Sequence, residues 1–307
     1  MTRTPMRRYR ALAGSLAVTV VLATAAVATA QTGAPTPVID SHPRKVDFGR
    51  TATIKGHLEN GLPGDEVTLQ RRRGNNDWWA VSTKPVDDDL QVVFKRRDMK
   101  RVTNYRLVYS DEVQEIETYS EPIKVRVAPK LTLRVRPNDT FVGNRVKLTG
   151  RLLPIKSARY VKLKQKVRGE WHTIKKVPVN DGRYSASFKA RHKGFRKVRA
   201  VFGGDGISTG QRATKNLTIY RPDRATWYGP GFYGNRTACG KTLRSGTLGV
   251  AHRSLPCGAK VSILYRGRTV TVTVIDRGPY THANWDLTEE TAERLGFSGT
   301  GTIGVTR

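Results

Sequence analysis

Hydrophobic and polar residues alternate in short segments along most of the chain. Val146-Lys147-Leu148 and Val161-Lys162-Leu163 are two examples, and Gly, Asn and Asp separate such segments from one another. Alternation with a period of two predicts strands that each bury one face, and no stretch upstream of residue 221 shows helical periodicity of useful length. The chain is therefore predicted to be all-β.

The first two-thirds of the chain contain an internal repeat. Gly49 to Leu58 matches Gly143 to Leu152, and residues 66–69 match residues 160–163, both at an offset of 94. Short strands at this spacing, in units of about ninety residues, predict antiparallel β-sandwiches. We assign them to residues 46–128 and 129–221, and their pattern resembles the immunoglobulin-like modules of bacterial surface proteins.

Outward positions of these predicted strands are repeatedly basic, as at Lys162, Lys164 and Lys166. One interpretation is a solvated face that protects sheet edges from pairing, and the other is a surface for anionic polymers. Tryptophans at the corresponding point of a sandwich are usually core residues, with stacking on sugars as the alternative. These alternatives concern Trp78, Trp79 and Trp171.

The N-terminal segment has the pattern of a cleaved secretory signal. Four arginines are followed by an uncharged run from Ala11 to Ala30 that ends in small residues, which predicts a signal peptide at residues 1–30. Its length leaves an uncleaved membrane anchor as the alternative. Residues 31–45 are rich in Pro, Thr and Ser and are predicted to be a linker. We expect a secreted, wall-associated protein without stable membrane insertion after signal cleavage.

The net charge of +30 over 307 residues is extreme, and most of the excess lies in the two repeats. A field of this sign concentrates a protein on polyanions. For an exported protein, these are anionic wall polymers, which we expect the basic repeats to bind. Export argues against nucleic acid as the partner.

Cys239 and Cys257 are the only cysteines. An even number in an exported chain predicts a disulfide. The alternative of two metal-binding thiols lacks a CxxC motif or a histidine pair at ligand spacing, so no metal and no other cofactor is expected.

Glycine becomes frequent after the short joint Arg221-Pro222-Asp223, and the pattern changes. Four strands are predicted at about 249–252, 260–265, 268–275 and 301–305. A helix is predicted from about Thr288 to Leu295, with Asp286 or Thr288 as N-cap and Gly296 just past its end. This content favours a small closed β-barrel over residues 222–307.

Four motifs in this last unit carry a family resemblance: ATWYGPGFYG, AHRSLPCG, VIDRGPY and WDLTEETAERLGF. Together they resemble the RlpA-like double-psi β-barrel of septal lytic transglycosylases and, more distantly, of expansins. The resemblance implies a six-stranded barrel with a groove for peptidoglycan glycan strands. In active members it also implies cleavage without water, in which an acid protonates the leaving oxygen and the C6 hydroxyl of the sugar attacks, leaving a 1,6-anhydro-muramyl end.

Asp276 is the first candidate for the acid. Alternation from Val270 through Val274 places it on the apolar side of its strand, where desolvation would raise its pKa, although a turn residue is the structural alternative. The resemblance adds Asp286, which is otherwise an N-cap, and His252, which is otherwise structural. These three residues are the predicted catalytic set.

One departure from the family pattern bears on activity, because Lys241 stands where active members usually carry a glutamate after a glycine. Loss of this acid favours the alternative of a non-lytic, expansin-like wall-loosening protein, and a purely structural surface protein is a third hypothesis. The resemblance and the composition also nominate residues that would contact the substrate. These are Thr226, Tyr228, Lys241, Tyr280 and Trp285.

Overall fold

The computed structural model describes residues 33–307, and the predicted signal segment lies outside the described residues. Within this range the chain is built almost entirely from strands, with one α-helix, α1 at Glu289–Leu295, and a short 3-10 turn at Pro230–Phe232. No helix between residues 33 and 307 combines the length and the apolar content needed to cross a membrane. The predicted all-β class is confirmed.

The first module is a sandwich of two sheets around a core that contains Ile54, Leu69, Phe94 and Leu107. One sheet has the order β1-β3-β6, and the other has the order β2-β9-β7-β4-β5 with β8 also paired to β7. The strands are β1 Thr36–Ser41, β2 Lys45–Asp47, β3 Ala52–Glu59, β4 Glu66–Arg72, β5 Trp79–Pro85, β6 Gln91–Arg96, β7 Thr103–Asp111, β8 Ile116–Tyr119 and β9 Ile123–Ala128.

Strand β1 lies inside the segment that its composition predicts to be linker. It pairs antiparallel with β3, from Thr36 opposite Glu59 to Ser41 opposite Lys55. Pro37 lies in the strand and is buried, while Ile39 packs against the core. Composition alone misses this strand because its prolines and threonines are typical of linkers, whereas its pairing depends on β3, which is distant in sequence.

The second module repeats this architecture around Val146, Leu148, Leu163 and Val198. Strand β13 pairs with β10, β11 and β16 in one sheet, and the other sheet begins β15-β14-β17-β18, with β12 parallel to β18. The strands are β10 Lys130–Leu131, β11 Arg134–Arg136, β12 Asp139–Phe141, β13 Arg145–Leu153, β14 Arg159–Val167, β15 Glu170–Val179, β16 Arg183–Lys189, β17 Gly194–Phe202 and β18 Gln211–Tyr228.

Both modules have a bulge at the same point of the repeat. One extra residue interrupts the pairing of β4 with β5 after Leu69, and of β14 with β15 after Leu163. A bulge changes the face to which the following side chains point. Trp171 consequently lies half-buried on the outer face, beneath the guanidinium of Arg199 at 3.8 Å, and not in the core. Trp78 is likewise covered by Arg106 at 4.6 Å.

Strand β18 is shared between the second module and the last domain. Its first half pairs with β17 up to Ile219, and its second half pairs with strands of the barrel from Arg221 to Tyr228. The predicted joint at residues 221–223 is therefore the middle of a continuous strand and not a loop. Pro222 is tolerated there even though it has no amide hydrogen to donate to a ladder.

The barrel closes through β18. Its strand order is β18-β22-β19-β21-β20-β23, and β23 pairs back to β18, which gives a closed six-stranded barrel as expected. The helix α1 begins after Thr288 and ends at Gly296 in the left-handed conformation, as the capping residues predict. The remaining strands are β19 Val250–His252, β20 Lys260–Tyr265, β21 Arg268–Asp276, β22 Trp285–Thr288 and β23 Gly301–Val305.

Tyr220, at the midpoint of β18, joins the second module to the barrel. Its hydroxyl lies 3.1 Å from Asp139 Oδ1 in the module and 3.1 Å from Ser262 Oγ in the barrel. Its ring packs against the ring of Phe141. Gly304 lies against both residues, because a Cβ added there would lie 2.8 Å from the Phe141 ring and 2.9 Å from Tyr220 Cβ. Burial raises the pKa of Tyr220 to about 12.

We expect Tyr220→Phe to destabilise the chain by about 1 to 2 kcal/mol, because the substitution removes a buried hydroxyl that bridges the half-buried Asp139 and the buried Ser262. The melting temperature should fall by several degrees in a thermal scan. Tyr160→Phe is the matched control, since Tyr160 is 48% exposed and its contact with Lys176 needs only the ring. Equal melting temperatures for the two variants would contradict this role of Tyr220.

Candidate functional site

The register of four neighbouring strands brings residues from all four motifs into one row. Thr226 of β18 pairs with Asp286 of β22, Asp286 pairs with Ala251 of β19, and Ala251 pairs with Asp276 of β21. Strands lie about 4.8 Å apart, so the backbones that carry the two aspartates are separated by roughly 10 Å. Only the methyl group of Ala251 stands between them in the row, which we call the carboxylate row.

Asp286 is the half-buried acid of this row. Thr226 Oγ1 donates a hydrogen bond of 2.7 Å to Asp286 Oδ1. Burial raises the pKa of Asp286; the hydrogen bond from Thr226 opposes that shift, and the negative charge of Asp276 adds to it. The net result is a carboxyl group that holds its proton to a higher pH than an ordinary aspartate.

Asp276 is fixed by the backbone. Its Oδ1 accepts hydrogen bonds of 2.8 Å from the amides of Ala238 and Arg277, which leaves Oδ2 without a partner among the described residues. Its charge acts on both Asp286 and Tyr228, so these three side chains share one region. This is the convergence that the sequence predicts for the two aspartates.

Simple alternation does not account for the position of Asp276. Val274 pairs with Val250 and Asp276 pairs with Ala251, so Ile275 is the extra residue of a bulge. Ile275 is buried against Gly249, where any side chain would lie within 2.4 Å of it. The bulge takes Asp276 out of the apolar series of Val272 and Val274 and into the carboxylate row.

Arg277 does not pair with the neighbouring carboxylate. Its guanidinium donates to the carbonyl oxygens of His252 and Leu255 at 3.3 and 3.0 Å, and to Cys257 Sγ at 3.4 Å. The predicted disulfide between Cys239 and Cys257 is present and ties this loop to the turn that contains Ala238. The amide that holds Asp276 is therefore itself held by a covalent bond one residue away.

Tyr228 points into the same region from the first strand of the barrel. It lies two residues after Thr226 in β18, and its buried hydroxyl has no hydrogen-bond partner in the described part of the chain. Burial raises its pKa, and so do the charges of Asp276 and Asp286. An unpaired buried hydroxyl is costly unless another polar group meets it, so a substrate hydroxyl is a suitable partner.

His252 lies next to the carboxylate row but on the other face of its strand. It pairs with Trp285, and the two ring centroids lie 4.5 Å apart with the ring planes tilted by 57°. Nδ1 accepts hydrogen bonds from the amides of Ser254 and Leu255, and burial lowers the pKa of the imidazole. No hydrogen bond between His252 and either aspartate occurs within residues 33–307, so the structure does not bring it together with them.

The other predicted substrate contacts have different environments. Trp285 is buried, and its Nε1 donates to Asp223 at 3.1 Å, so its ring belongs to the barrel core and cannot stack on a sugar. Tyr280 is 82% exposed and free to contact a ligand. Lys241 is exposed in the disulfide-linked turn and makes no ion pair within the described range.

Two functional elements could not be read from residue types. The amide of Ala238 reaches Asp276 across 38 residues, and a backbone donor leaves no trace in a sequence. Arg277 anchors the loop through its guanidinium, although its position next to Asp276 suggests a charge partner. Among residues 33–307, no group of three or more His, Cys, Asp or Glu side chains is arranged to hold a metal ion.

Comparison with known proteins agrees with this geometry. A probable endolytic peptidoglycan transglycosylase RlpA of Synechocystis is 42% identical over 86 residues, which are 26% of this chain and 27% of that protein. The RlpA of Campylobacter jejuni is 40% identical over 84 residues, covering 26% and 30% of the two chains, and a probable RlpA of Aquifex aeolicus is 37% identical over 100 residues, covering 32% and 44%. The chain thus spans less than half the length of these relatives.

The match to a family model lies in the C-terminal domain, and the two modules lie outside that match. Residues 223–307 match the family described as lytic transglycolase. This range contains the carboxylate row, the disulfide, strands β19 to β23 and the end of β18 that pairs with β22. The C-terminal domain of this chain is a closed six-stranded β-barrel of the double-psi type, and its sequence is similar to the lytic transglycolase family.

Proposed function

We propose that the protein is secreted to the cell wall and cleaves peptidoglycan glycan strands there as a lytic transglycosylase, leaving 1,6-anhydro-muramyl ends. The observation that carries this proposal is the carboxylate row, in which Asp286, whose pKa is raised by burial, lies two strands from Asp276. The names of the relatives, endolytic peptidoglycan transglycosylases, support the substrate class. The basic modules would hold the protein on anionic wall polymers.

Asp286 is the proposed general acid. A general acid must carry a proton at the working pH, and burial of Asp286 favours its protonated form. It gives this proton to the glycosidic oxygen as the bond from that oxygen to C1 breaks. The resulting carboxylate then takes the proton of the C6 hydroxyl while the C6 oxygen forms a bond to C1. No water is consumed, and Asp286 is protonated again at the end of the reaction.

Asp276 is proposed to stabilise the positive charge that develops on the sugar ring. Two amides fix Oδ1, which leaves Oδ2 to face the substrate without reorganisation. Thr226 in this row and Tyr228, two residues further along β18, offer hydroxyl groups to the sugar. Tyr280 is the exposed aromatic ring available for stacking on a neighbouring sugar.

His252 is proposed to be a positioning residue and not a proton carrier in the reaction. Its Nδ1 accepts two amides of the loop that ends at Cys257, and its ring packs on Trp285. It thereby shapes the loop that contains Cys257. The disulfide joins that loop to Cys239, which is next to Ala238. This role differs from the catalytic one that the family resemblance implies for it.

A non-lytic, expansin-like wall-loosening protein is the alternative function. The observation that favours it is Lys241, since a cation replaces the acid that active members usually carry in this turn. Under this alternative, the row binds glycan through the same hydroxyls and carboxylates but breaks no bond. The two functions differ in their products.

Incubation of the full-length protein with purified sacculi should release 1,6-anhydro-muropeptides, which mass spectrometry detects. Asp286→Asn should lower the rate by about 10²- to 10⁴-fold, the usual contribution of a general acid, because an amide cannot donate the required proton. Asp276→Asn should also lower the rate while sparing glycan binding in a pull-down.

Glu290→Gln is the matched control for both variants. It makes the same carboxyl-to-amide change on α1, where Glu290 forms an ion pair with Arg294, and it should leave the rate unchanged. Absence of anhydro ends from the wild type, with retained binding to sacculi, would reject the lytic function in favour of the expansin-like one. Loss of both would reject the row as a glycan site.

The raised pKa of Asp286 predicts a specific pH dependence of stability. Below the unfolded pKa, near 4, the carboxyl is neutral in both states, and its burial then carries no charge penalty. As pH rises through the higher folded pKa, the wild type should lose stability relative to Asp286→Asn, which keeps an acceptor for Thr226. Melting temperatures of both proteins from about pH 4 to pH 7 would test this, and a constant difference between them would contradict it.

Removal of the disulfide by Cys239→Ser with Cys257→Ser should cost roughly 3 kcal/mol on the chain-entropy model, given a sequence separation of 18. Sacculus cleavage should fall as well, because the Ala238 amide would lose its anchor beside Asp276. The activity loss should be small in an Asp276→Asn background, where that carboxylate is already absent. Undiminished cleavage by the disulfide-free protein would show that the anchor does not matter for activity.

A further inference from the structure

On the outer face of the second module's larger sheet, strands β14, β15, β17 and β18 present basic residues and no acid. Asp139 of β12 lies on the same side at the barrel end, opposite Thr218, and its carboxylate accepts a hydrogen bond from Tyr220. Strands β14, β15, β17 and β18 pair side by side, and residues that pair directly point to the same side. Val161, Leu163, Val198 and Ala200 face the core, so the alternate residues face outward. The outward basic residues are Lys162, Lys164, Lys166, Lys176, Lys197, Arg199 and Arg212.

These charges are uncompensated. No side chain of this set forms a salt bridge in the described part of the chain, and the salt bridges of the module lie elsewhere, as between Arg159 and Asp205. Two hollows flank the face. One of about 610 Å³ is lined by Lys166, Arg168, Phe195 and Lys197 among others, and no acidic residue lines it.

The second hollow, of about 540 Å³, lies at the opposite end of the face against the first module. Its lining includes Lys45, Lys164, Trp171, Arg199 and Arg212, again without an acid. Arg199 Nε donates a hydrogen bond to Thr214 Oγ1, and the plane of the guanidinium covers the Trp171 ring. The two terminal nitrogens make no hydrogen bond within the described residues. A planar guanidinium with a free edge and flanking lysines matches the oxygens of a phosphate.

Protection of a sheet edge does not explain the charges. Strand β14, which carries Lys162, Lys164 and Lys166, is paired on both sides, with β15 and with β17. An interior strand has no free ladder to guard. The lysines therefore call for another explanation than the one that applies to edge strands.

The first module provides an internal comparison. Thr68, Gln70 and Arg72 occupy the repeat positions of the three lysines, at the offset of 94. The bulge and the tryptophan beneath an arginine are present in both modules. The fold therefore does not require the row of Lys162, Lys164 and Lys166, which we call the lysine ladder, and this row is particular to the second module.

We propose that this face binds a linear phosphodiester polymer of the polyol-phosphate type, an inference that rests on the wall location in the proposed function. Alternate residues of a strand are roughly 6.7 Å apart, which sets the spacing of Lys162, Lys164 and Lys166. Ordinary bond lengths place phosphates joined through a three-carbon polyol roughly 6 to 7 Å apart.

The aromatic residues of the face argue against nucleic acid as the ligand. Trp171 is covered by Arg199, and Lys176 lies over the ring of Tyr160 at 4.5 Å. Phe195, which is 57% exposed, is the open ring in the hollow near β18. Single-stranded nucleic acids are held by several rings on which successive bases stack, and one ring does not form such a platform.

The test is the binding of a fluorescent, unbranched glycerol-phosphate oligomer to the full chain, followed by anisotropy at several salt concentrations. The triple variant Lys162→Gln, Lys164→Gln, Lys166→Gln should bind about 100-fold more weakly near 0.1 M salt. The slope of log affinity against log salt should fall by about 2, which corresponds to three lost phosphate contacts on a flexible strand. Lys197→Gln with Arg212→Gln, on β17 and β18, should weaken binding in the same way.

The matched control removes three charges from the other sheet of the same module, through Arg145→Gln, Lys147→Gln and Lys189→Gln. It should change affinity only slightly. Equal losses in both triple variants would overturn the proposal, because binding would then depend on net charge alone. Equal affinity of the wild type for a single-stranded DNA or a uronic acid oligomer of matched charge would overturn the assignment to phosphodiester polymers.

The outcome is separable from that for glycan cleavage. On sacculi stripped of phosphate polymers, the lysine variant should cleave as well as the wild type, since none of its substitutions touches the barrel. Loss of oligomer binding with intact cleavage supports the face. If the triple lysine variant still binds the oligomer with full affinity, the proposal that this face is the binding site is wrong, whether or not the barrel is active.

Discussion

Continuous hydrogen bonding along β18 is the constraint on which the rest of the structure depends. A single run from Gln211 to Tyr228 completes the larger sheet of the second module and then closes the barrel by pairing with β22 and β23. The same strand places Thr226 in the carboxylate row, Tyr228 beside that row and Tyr220 at the boundary between the two units. A change in its register would displace all of these side chains together, because a shift of one residue reverses every side chain of a strand.

The site shows how environment separates two like residues. Asp286 lies in a half-buried position with one hydroxyl donor, and desolvation raises its pKa. Asp276 receives two backbone amides, one of which a disulfide holds in place. Two carboxyl groups with different surroundings can take the different parts that acid-catalysed glycan cleavage requires. The chain obtains this difference from a bulge at Ile275 and a crosslink between two loops, neither of which adds a charged group.

Local pattern was sufficient for much of this architecture. Alternation and turn residues predict the strands of the barrel at 260–265 and 301–305, and capping residues predict the helix that ends before Gly296. The disulfide follows from cysteine number alone. The motifs identify both aspartates, and the structure brings them together.

The features that were missed all depend on partners distant in sequence. A bulge turns Trp171 outward, another moves Asp276 out of the valine series, and the rows of β19 and β22 place His252 opposite Trp285 and away from the acids. The predicted joint at 221–223 is strand because β23 pairs with it directly, immediately after the pairing of β18 with β17 ends at Ile219. Residue types near a position do not encode which strand will lie beside it or where an extra residue will be accommodated.

A strand with no break also sets a length scale. From Thr214, beside the lysine ladder, to Thr226 in the barrel, the backbone can span at most about 40 Å, and hydrogen bonds on successive stretches resist bending along the way. If the module binds a polymer, the barrel would therefore stay at a fixed distance from the point of binding. Glycosidic bonds beyond that distance would be accessible only after the protein had dissociated and bound again elsewhere.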